Sequence, residues 1–175
     1  MFIAHLPAGY LLTRFVLKKT NYTTQRHTNY FYLLGALFSV LPDFDLFYFY
    51  FFNASQPHHV YAPHIPLYWP LISSVVFIVA YKIKSNDLKL TAMLLLGNTL
   101  LHMLLDTLAG GIMWLYPYTS EFIRFSYIPA THNLWVMNFI MHWTFIFEII
   151  ICLTAIVIFL HDHFKVTNHH SHRND

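Results

Sequence analysis

The chain has 175 residues, of which 57% are apolar, 19% aromatic and only 10% charged, with a formal net charge of +2. Soluble domains carry about 25% charged residues, so the composition excludes an ordinary soluble globule, and the few scattered basic residues exclude a nucleic-acid-binding face. The single cysteine, Cys152, excludes an internal disulfide and an all-thiolate metal site. Apolar runs close to the ~20 residues that cross a bilayer point instead to an all-α, multi-pass membrane helical bundle with four or five transmembrane helices.

In chain order, residues 3–17 read as a short apolar helix with His5 near its start and Arg14 near its end. His5 and Pro7, rather than Lys or Arg, precede its apolar core, so this helix is expected to be retained and not cleaved as a leader. A polar loop over 18–29 carries Lys18, Lys19 and Arg26. Residues 30–52 form a second helix, broken at Leu41-Pro42-Asp43-Phe44-Asp45, because Pro42 lacks a backbone donor and disfavours helix at the residue before it. The aromatic run over 47–52 reads as an interfacial belt. A loop rich in Pro and His follows over 53–66, then a third helix over 67–83 and a basic turn bracketed by Lys82, Lys84 and Lys89. The fourth helix is expected over 90–116, an irregular loop over 117–135 and the fifth helix over 136–161. Residues 1–165 make one membrane-embedded domain, and 166–175 a polar, His-rich tail. The loops 53–66 and 117–135 together hold only Arg124. The positive-inside rule therefore places the basic loops in the cytoplasm and these two outside.

Ionisable residues inside apolar runs carry the functional signal, because a charge in hydrocarbon costs about 3 kcal/mol even on the milder scales. His102 and Asp106, four apart in GNTLLHMLLDTLAGGIMWLYPY, share a helix face and can reach one object. The bland alternative is a private His–Asp hydrogen bond between helices. Asp43 and Asp45 flank the Pro42 break. Either carboxylates turn inward there, or Asp43 merely caps the next half-helix while Asp45 snorkels. His58, His59 and His64 lie in HHVYAPHIPLYW, and loop histidines taken alone are commonly solvated. His142 and Glu148 are six apart and share no face; Glu148 suits a residue that orients a ligand. His132 is a weak signal, and His161, His163, His169, His170 and His172 read as a solvated tail. Together the histidines and carboxylates suit a borderline divalent ion, zinc first, with manganese or iron as alternatives. Such an ion activates water and polarises phosphoryl or carbonyl oxygens, which is hydrolytic chemistry.

LPDFD, HHVYAPH followed by IPLYW, and LLHMLLDTLAGGIMWLYPY, in that order, resemble the YdjM-type family of inner-membrane metal-dependent hydrolases, also described as LexA-binding. The resemblance runs from His5 to about Glu148. It implies that an early His, a Pro-Asp-x-Asp element, a His-rich loop and a His-x-x-x-Asp helix followed by Gly and an aromatic-Pro pair fall on His5, on Asp43 and Asp45, on His59 and His64, and on His102 with Asp106. Gly110, Gly111 and Pro117 complete the last element. Two positions depart from the family pattern: its loop arginine is Val60 here, and the Thr before the final loop histidine is Pro63. More distantly, an all-helical protein with His and Asp ligands is similar to zinc-dependent phospholipase C and P1-type nucleases, which implies phosphate esters by analogy of fold alone.

The resulting expectation is a membrane-bound metal-dependent hydrolase in a bacterial-type inner membrane. Its substrate would be a phosphate ester, small or lipid, met in the outer half of the bilayer. The expected metal ligands are His5, Asp43, Asp45, His59, His64, His102 and Asp106, with Asp45 or Asp106 accepting the proton of the attacking water. His58, His142 and Glu148 are supporting positions. The rival class is non-catalytic: a haem held by His102 and His142, a metal-transport path, or a family member that keeps its ion for stability alone.

Overall fold

The computed structural model describes residues 3–20, 25–52 and 58–171. Its regular structure is helical: α1 (His5–Lys19), α2 (Gln25–Val40), α3 (Asp45–Phe51), α4 (Tyr68–Lys82), α5 (Asn86–Thr107), α6 (Trp135–Ile140) and α7 (Phe145–Ser171). Single 3-10 turns lie at Pro42–Phe44, His58–Val60 and Ala62–His64. Among the described residues one antiparallel β-bridge occurs, between Ile112 and Ile123. The all-α expectation holds.

Local chemistry explains where the elements begin and end. The break at Pro42 falls where expected, and the chain bends there by 55° between Thr28–Val40 and Pro42–Phe51. Helix α5 starts at Asn86 instead of residue 90, because Ser85 caps it: Ser85 Oγ accepts from the Leu88 N–H at 3.2 Å. It also ends at Thr107, well before 116. The Asp106 carbonyl accepts from the N–H groups of Ala109, Gly110 and Gly111, and Gly111 adopts a φ of +78°, a left-handed stop. The helix expected over 136–161 divides into α6 and α7. His142 Nδ1 is hydrogen-bonded to Thr144 Oγ1 at 2.9 Å, a local bond that competes with the helical ladder. Helix α7 then continues to Ser171, through most of the expected tail; His172 lies outside the described residues, as do residues 53–57 of the expected loop.

Successive long helices alternate in direction along the chain, and several approach closely. Helices α1 and α2 are antiparallel, and a Cβ on Gly9 would collide with Ser39, one on Gly35 with Thr13. Gly9–Thr13 and Gly35–Ser39 are small-xxx-small pairs of the kind that lets backbones pack in a membrane. Helix α5 lies antiparallel to α1, with buried Asn98 Nδ2 3.5 Å from Thr13 Oγ1. Helix α7 runs parallel to α1: Glu148 meets the amides of Ile3 and Ala4 at one end, and Arg14 forms a two-point pair with Asp162 at the other. Leu17, Phe31, Leu90 and Leu94 pack together at the lysine-bearing end. Ala4, Ala8 and Leu105 pack at the opposite end. Lys18, Lys19 and Lys89 are thus separated by the length of the bundle from His5 and Asp106.

Two helices, Asn86–Thr107 and Phe145–Lys165, are long and apolar enough to cross a membrane, and the bent pair of α2 with α3 makes a third if taken as one span. This is fewer than the four or five expected. Helices α1 and α4 have 15 residues each, about 22 Å of helix against a hydrocarbon core of about 30 Å.

Candidate metal centre

His102 and Asp106 occupy successive turns near the end of α5, 1% and 2% exposed, with His102 Nε2 3.0 Å from Asp106 Oδ2. His5, the first residue of α1, stacks on the His102 ring at a centroid separation of 3.8 Å and sets its Nε2 3.2 Å from Asp106 Oδ1. The Pro42 break turns Asp43 toward the same point. Its Oδ1 lies 3.6 Å from His102 Nε2 and 3.7 Å from His64 Nε2, and it caps neither the turn nor α3. The two 3-10 turns between His58 and His64 fold over the end of α5 and bring His64 Nε2 and His59 Nε2 to 3.6 and 3.8 Å from Asp106 Oδ2. One ligand atom each from Asp43, His64, His102 and Asp106 lies within 4.8 Å of the others, and His58, His59 and His64 form a second such group.

Hydrogen bonds on the far side of each ring decide what faces the centre. His102 Nδ1 donates to the Ser39 carbonyl at 2.8 Å, and His59 Nδ1 donates to the Gly111 carbonyl at 2.9 Å. His64 Nδ1 donates to Asp45 Oδ2 at 2.5 Å. A carbonyl or carboxylate can only accept, so Nδ1 carries the proton in all three rings and a neutral ring presents a bare Nε2 lone pair inward. If all three rings are neutral, their lone pairs repel the carboxylate they face unless a proton or a cation lies among them. Burial holds the His59 imidazole down at about 3, in its lone-pair form. Burial also pulls His64 down, but hydrogen bonds to Asp106 and Asp45 outweigh it and carry that ring up to about 9, so a proton competes with an ion at His64 Nε2. A single proton relieves one of these contacts; a divalent ion relieves them together. Mixed imidazole and carboxylate donors, three of the rings fixed by an outer partner, are the chemistry such an ion selects.

Of the residues singled out from the sequence, His5, Asp43, His59, His64, His102 and Asp106 come together around this point. Asp45 stands behind His64 and points its other oxygen at His58 Nδ1, 3.4 Å away. Glu148 is not among the converging donors: its Oε2 accepts from the N–H of Ile3 at 2.5 Å and of Ala4 at 3.2 Å, capping the start of α1 beside His5. His142 bonds to Thr144, and His132 to Asn138. His161 is exposed.

Sequence reading overlooked the residues that aim the rings. Ser39 and Gly111 act through backbone carbonyls, which no side-chain pattern reveals. Gly110 makes room for His59, since a Cβ there would collide with His59 Cε1. The small-xxx-small spacing of Gly35 and Ser39, and the place of Gly110 and Gly111 in the family pattern, were the available signals.

The model of the family described as YdjM inner membrane protein matches residues 1–166. No curated protein and no solved structure matches the chain.

Proposed function

Because the chain belongs to the YdjM inner membrane protein family, we propose that its buried histidine–aspartate cluster is the divalent-metal centre of a membrane-embedded phosphate-ester hydrolase. The observation that supports this most directly is the convergence of His59, His64 and His102 on Asp106 through Nε2 while each Nδ1 is engaged behind. His5, His59, His64, His102, Asp106 and Asp43 would hold the ion, and Asp45 would orient His64. Zinc, or else manganese or iron, supplies a Lewis acid for the phosphoryl oxygen and a lowered pKa for a water.

The proton acceptor assigned here is Asp43 instead of Asp45 or Asp106. Asp45 is committed to His64, and Asp106 is enclosed by four rings, whereas the Asp43 side chain is 29% exposed. In the reaction the water oxygen bonds to phosphorus as the ester P–O bond breaks. The water proton passes to Asp43 and from there to the departing alkoxide, so that alcohol and phosphate are the products. Where the family pattern has a loop arginine this chain has Val60, and Arg124 is the cation available in its place. Its backbone is pinned between the Ile123 N–H to Ile112 carbonyl bond at 2.9 Å and the Phe125 N–H to Thr107 carbonyl bond at 2.7 Å, next to the glycine that holds His59.

For topology, α1, the α2–α3 pair, α4, α5 and α7 are read as alternating passes, with the short α1 and α4 completed by their neighbours in the bundle. The lysine end is then cytoplasmic and the centre lies toward the outside. Neither rival class is favoured by the geometry. His64 Nε2 and His102 Nε2 are 3.4 Å apart, too close to admit a macrocycle between them, and His142 Nδ1 is engaged by Thr144. A transport path would have to continue past Asn98, where Gly9, Ser39 and Asn98 are already packed to contact.

The test is hydrolysis of p-nitrophenyl phosphate by the purified, zinc- or manganese-loaded protein in detergent. Turnover should vanish on chelation and return on adding the ion, and Asp43→Asn should lose it at least a hundredfold. Turnover unchanged in Asp43→Asn would remove the assignment of the acceptor; no turnover of any phosphate ester by metal-loaded protein would remove the hydrolase reading.

A further inference from the structure

Asp43 belongs to two surfaces at once. Its Oδ1 faces His64 and His102, and the apolar part of the same residue lines a groove of about 480 Å³ with Val40, Phe44, Leu46, Phe47, Tyr50 and Phe51. The aromatic side chains run along one edge of α3: the Phe44 and Phe47 rings are 6.1 Å apart, and those of Phe47 and Phe51 6.5 Å apart. They are 47%, 62% and 76% exposed, on a helix about 10 Å long. One wall of this hydrocarbon-like trough is therefore the residue that carries the most accessible carboxylate of the centre. A second apolar groove, of 340 Å³ between Ala62, Pro63, Tyr68, Trp69 and Ile72, contains none of the converging donors.

From this shared wall we propose that the substrate is an anionic phosphate-monoester lipid, one hydrocarbon chain lying along α3 and across the Pro42 bend, from Phe51 to Val40 at the end of α2, and the phosphate reaching the centre past Asp43. The inference rests on the metal-centre reading above. It accounts for the Pro42 bend, which turns a bilayer helix so that its apolar edge ends at a polar centre. A soluble phosphate ester has no use for that trough. A lipid already in the bilayer enters sideways, with no need to leave hydrocarbon. The phosphate is anionic, so its position beside Asp43 and Asp106 depends on the cation between them.

The experiment uses the full chain, zinc-loaded and reconstituted in phosphatidylcholine vesicles, with a diazirine-bearing dodecyl phosphate as the probe and peptide mapping after illumination. Label should concentrate at residues 40–51, fall at least tenfold with excess dodecyl phosphate or after chelation, and be indifferent to dodecanol or inorganic phosphate. A diazirine-bearing dodecanol should mark both grooves alike, as bulk lipid would. Phe47→Asp should lower the label at residues 40–51 tenfold while bound zinc stays at the parent level. Phosphate-probe label spread equally over both grooves, or unaffected by Phe47→Asp and by chelation, would overturn the proposal. The two readings fail separately. Concentrated label without turnover of any ester leaves the lipid site and removes hydrolysis; turnover of p-nitrophenyl phosphate with evenly spread label does the reverse.

Discussion

His102 Nδ1 on α5 donates to the backbone carbonyl of Ser39 on α2, 2.8 Å away and 63 residues earlier in the chain. That bond fixes both the tautomer and the direction of the ring, and it depends on the position of α2, not on the identity of residue 39. Ser39→Ala should therefore leave metal affinity unchanged. It removes only the Oγ hydrogen bond to the Ala36 carbonyl, worth about 1 kcal/mol of stability. Gly9→Ala should behave differently, because its methyl collides with Ser39 and pushes apart the helices that carry His5 and the carbonyl. Overpacking of this kind costs about 1–3 kcal/mol, and 1.4 kcal/mol is tenfold in affinity. Competition against a chromophoric chelator would measure both; equal affinities in the two variants would show that helix spacing does not set the ring.

Gly110 and Gly111 separate two effects at His59. Gly110→Ala drives a methyl into the His59 ring with no unusual backbone angle at that residue, so metal affinity should fall. Gly111→Ala strains a φ of +78° and should cost about 1–2 kcal/mol of stability, with a smaller effect on the ion. Thermal unfolding and metal titration of the pair would show opposite rankings.

Glu148 joins the fifth long element to the first. Its carboxylate accepts from two amides at the start of α1, and losing such a cap costs about 1 kcal/mol. Glu148→Ala should loosen the start of α1 and weaken metal binding through His5, while Glu148→Gln, which still accepts, should retain most of it. Amide exchange at the start of α1 is the readout, and unchanged exchange in Glu148→Ala would show that the cap is dispensable.

How much of this was legible beforehand follows from what each residue does. The Pro42 break and the shared face of His102 and Asp106 were readable, because proline geometry and helical spacing are local and ionisable side chains stand out in apolar runs; His5, His59 and His64 were joined to them only by the family resemblance, since loop histidines taken alone are commonly solvated. Ser39 and Gly111 were not, since they work through carbonyls that every residue possesses. The end of α5 at Thr107 was missed because residues 112–116 are as apolar as a helix interior; only the paired glycines mark the stop. Fewer helices are long and apolar enough to span by themselves than the four or five expected, for a related reason: apolar composition identifies burial in lipid or protein without fixing the 30 Å that a span needs. Asp45 and Asp43 were indistinguishable in sequence, and only the bend decides which faces His64 from the front.

Sidedness has its own test. Tyr118 is 96% exposed in the loop that follows the centre. In a Cys152→Ser background, Tyr118→Cys should react with a membrane-impermeant maleimide in intact cells. Lys84→Cys, at the lysine end, should react only after the membrane is opened. The reverse pattern would place the centre on the cytoplasmic side.

The most direct measurement is the metal content of the purified protein and of two single variants by elemental analysis. The parent should carry at least one equivalent of zinc, manganese or iron. His102→Ala removes a donor held in place by Ser39, and Asp106→Asn keeps the size of the side chain but loses the charge on which four rings converge; each should lose most of the ion while still inserting in the membrane. A private hydrogen bond between His102 and Asp106 would contribute only about 0.6 kcal/mol and leave metal content untouched. Full occupancy in both variants, or a parent that binds no divalent ion, would contradict the metal centre.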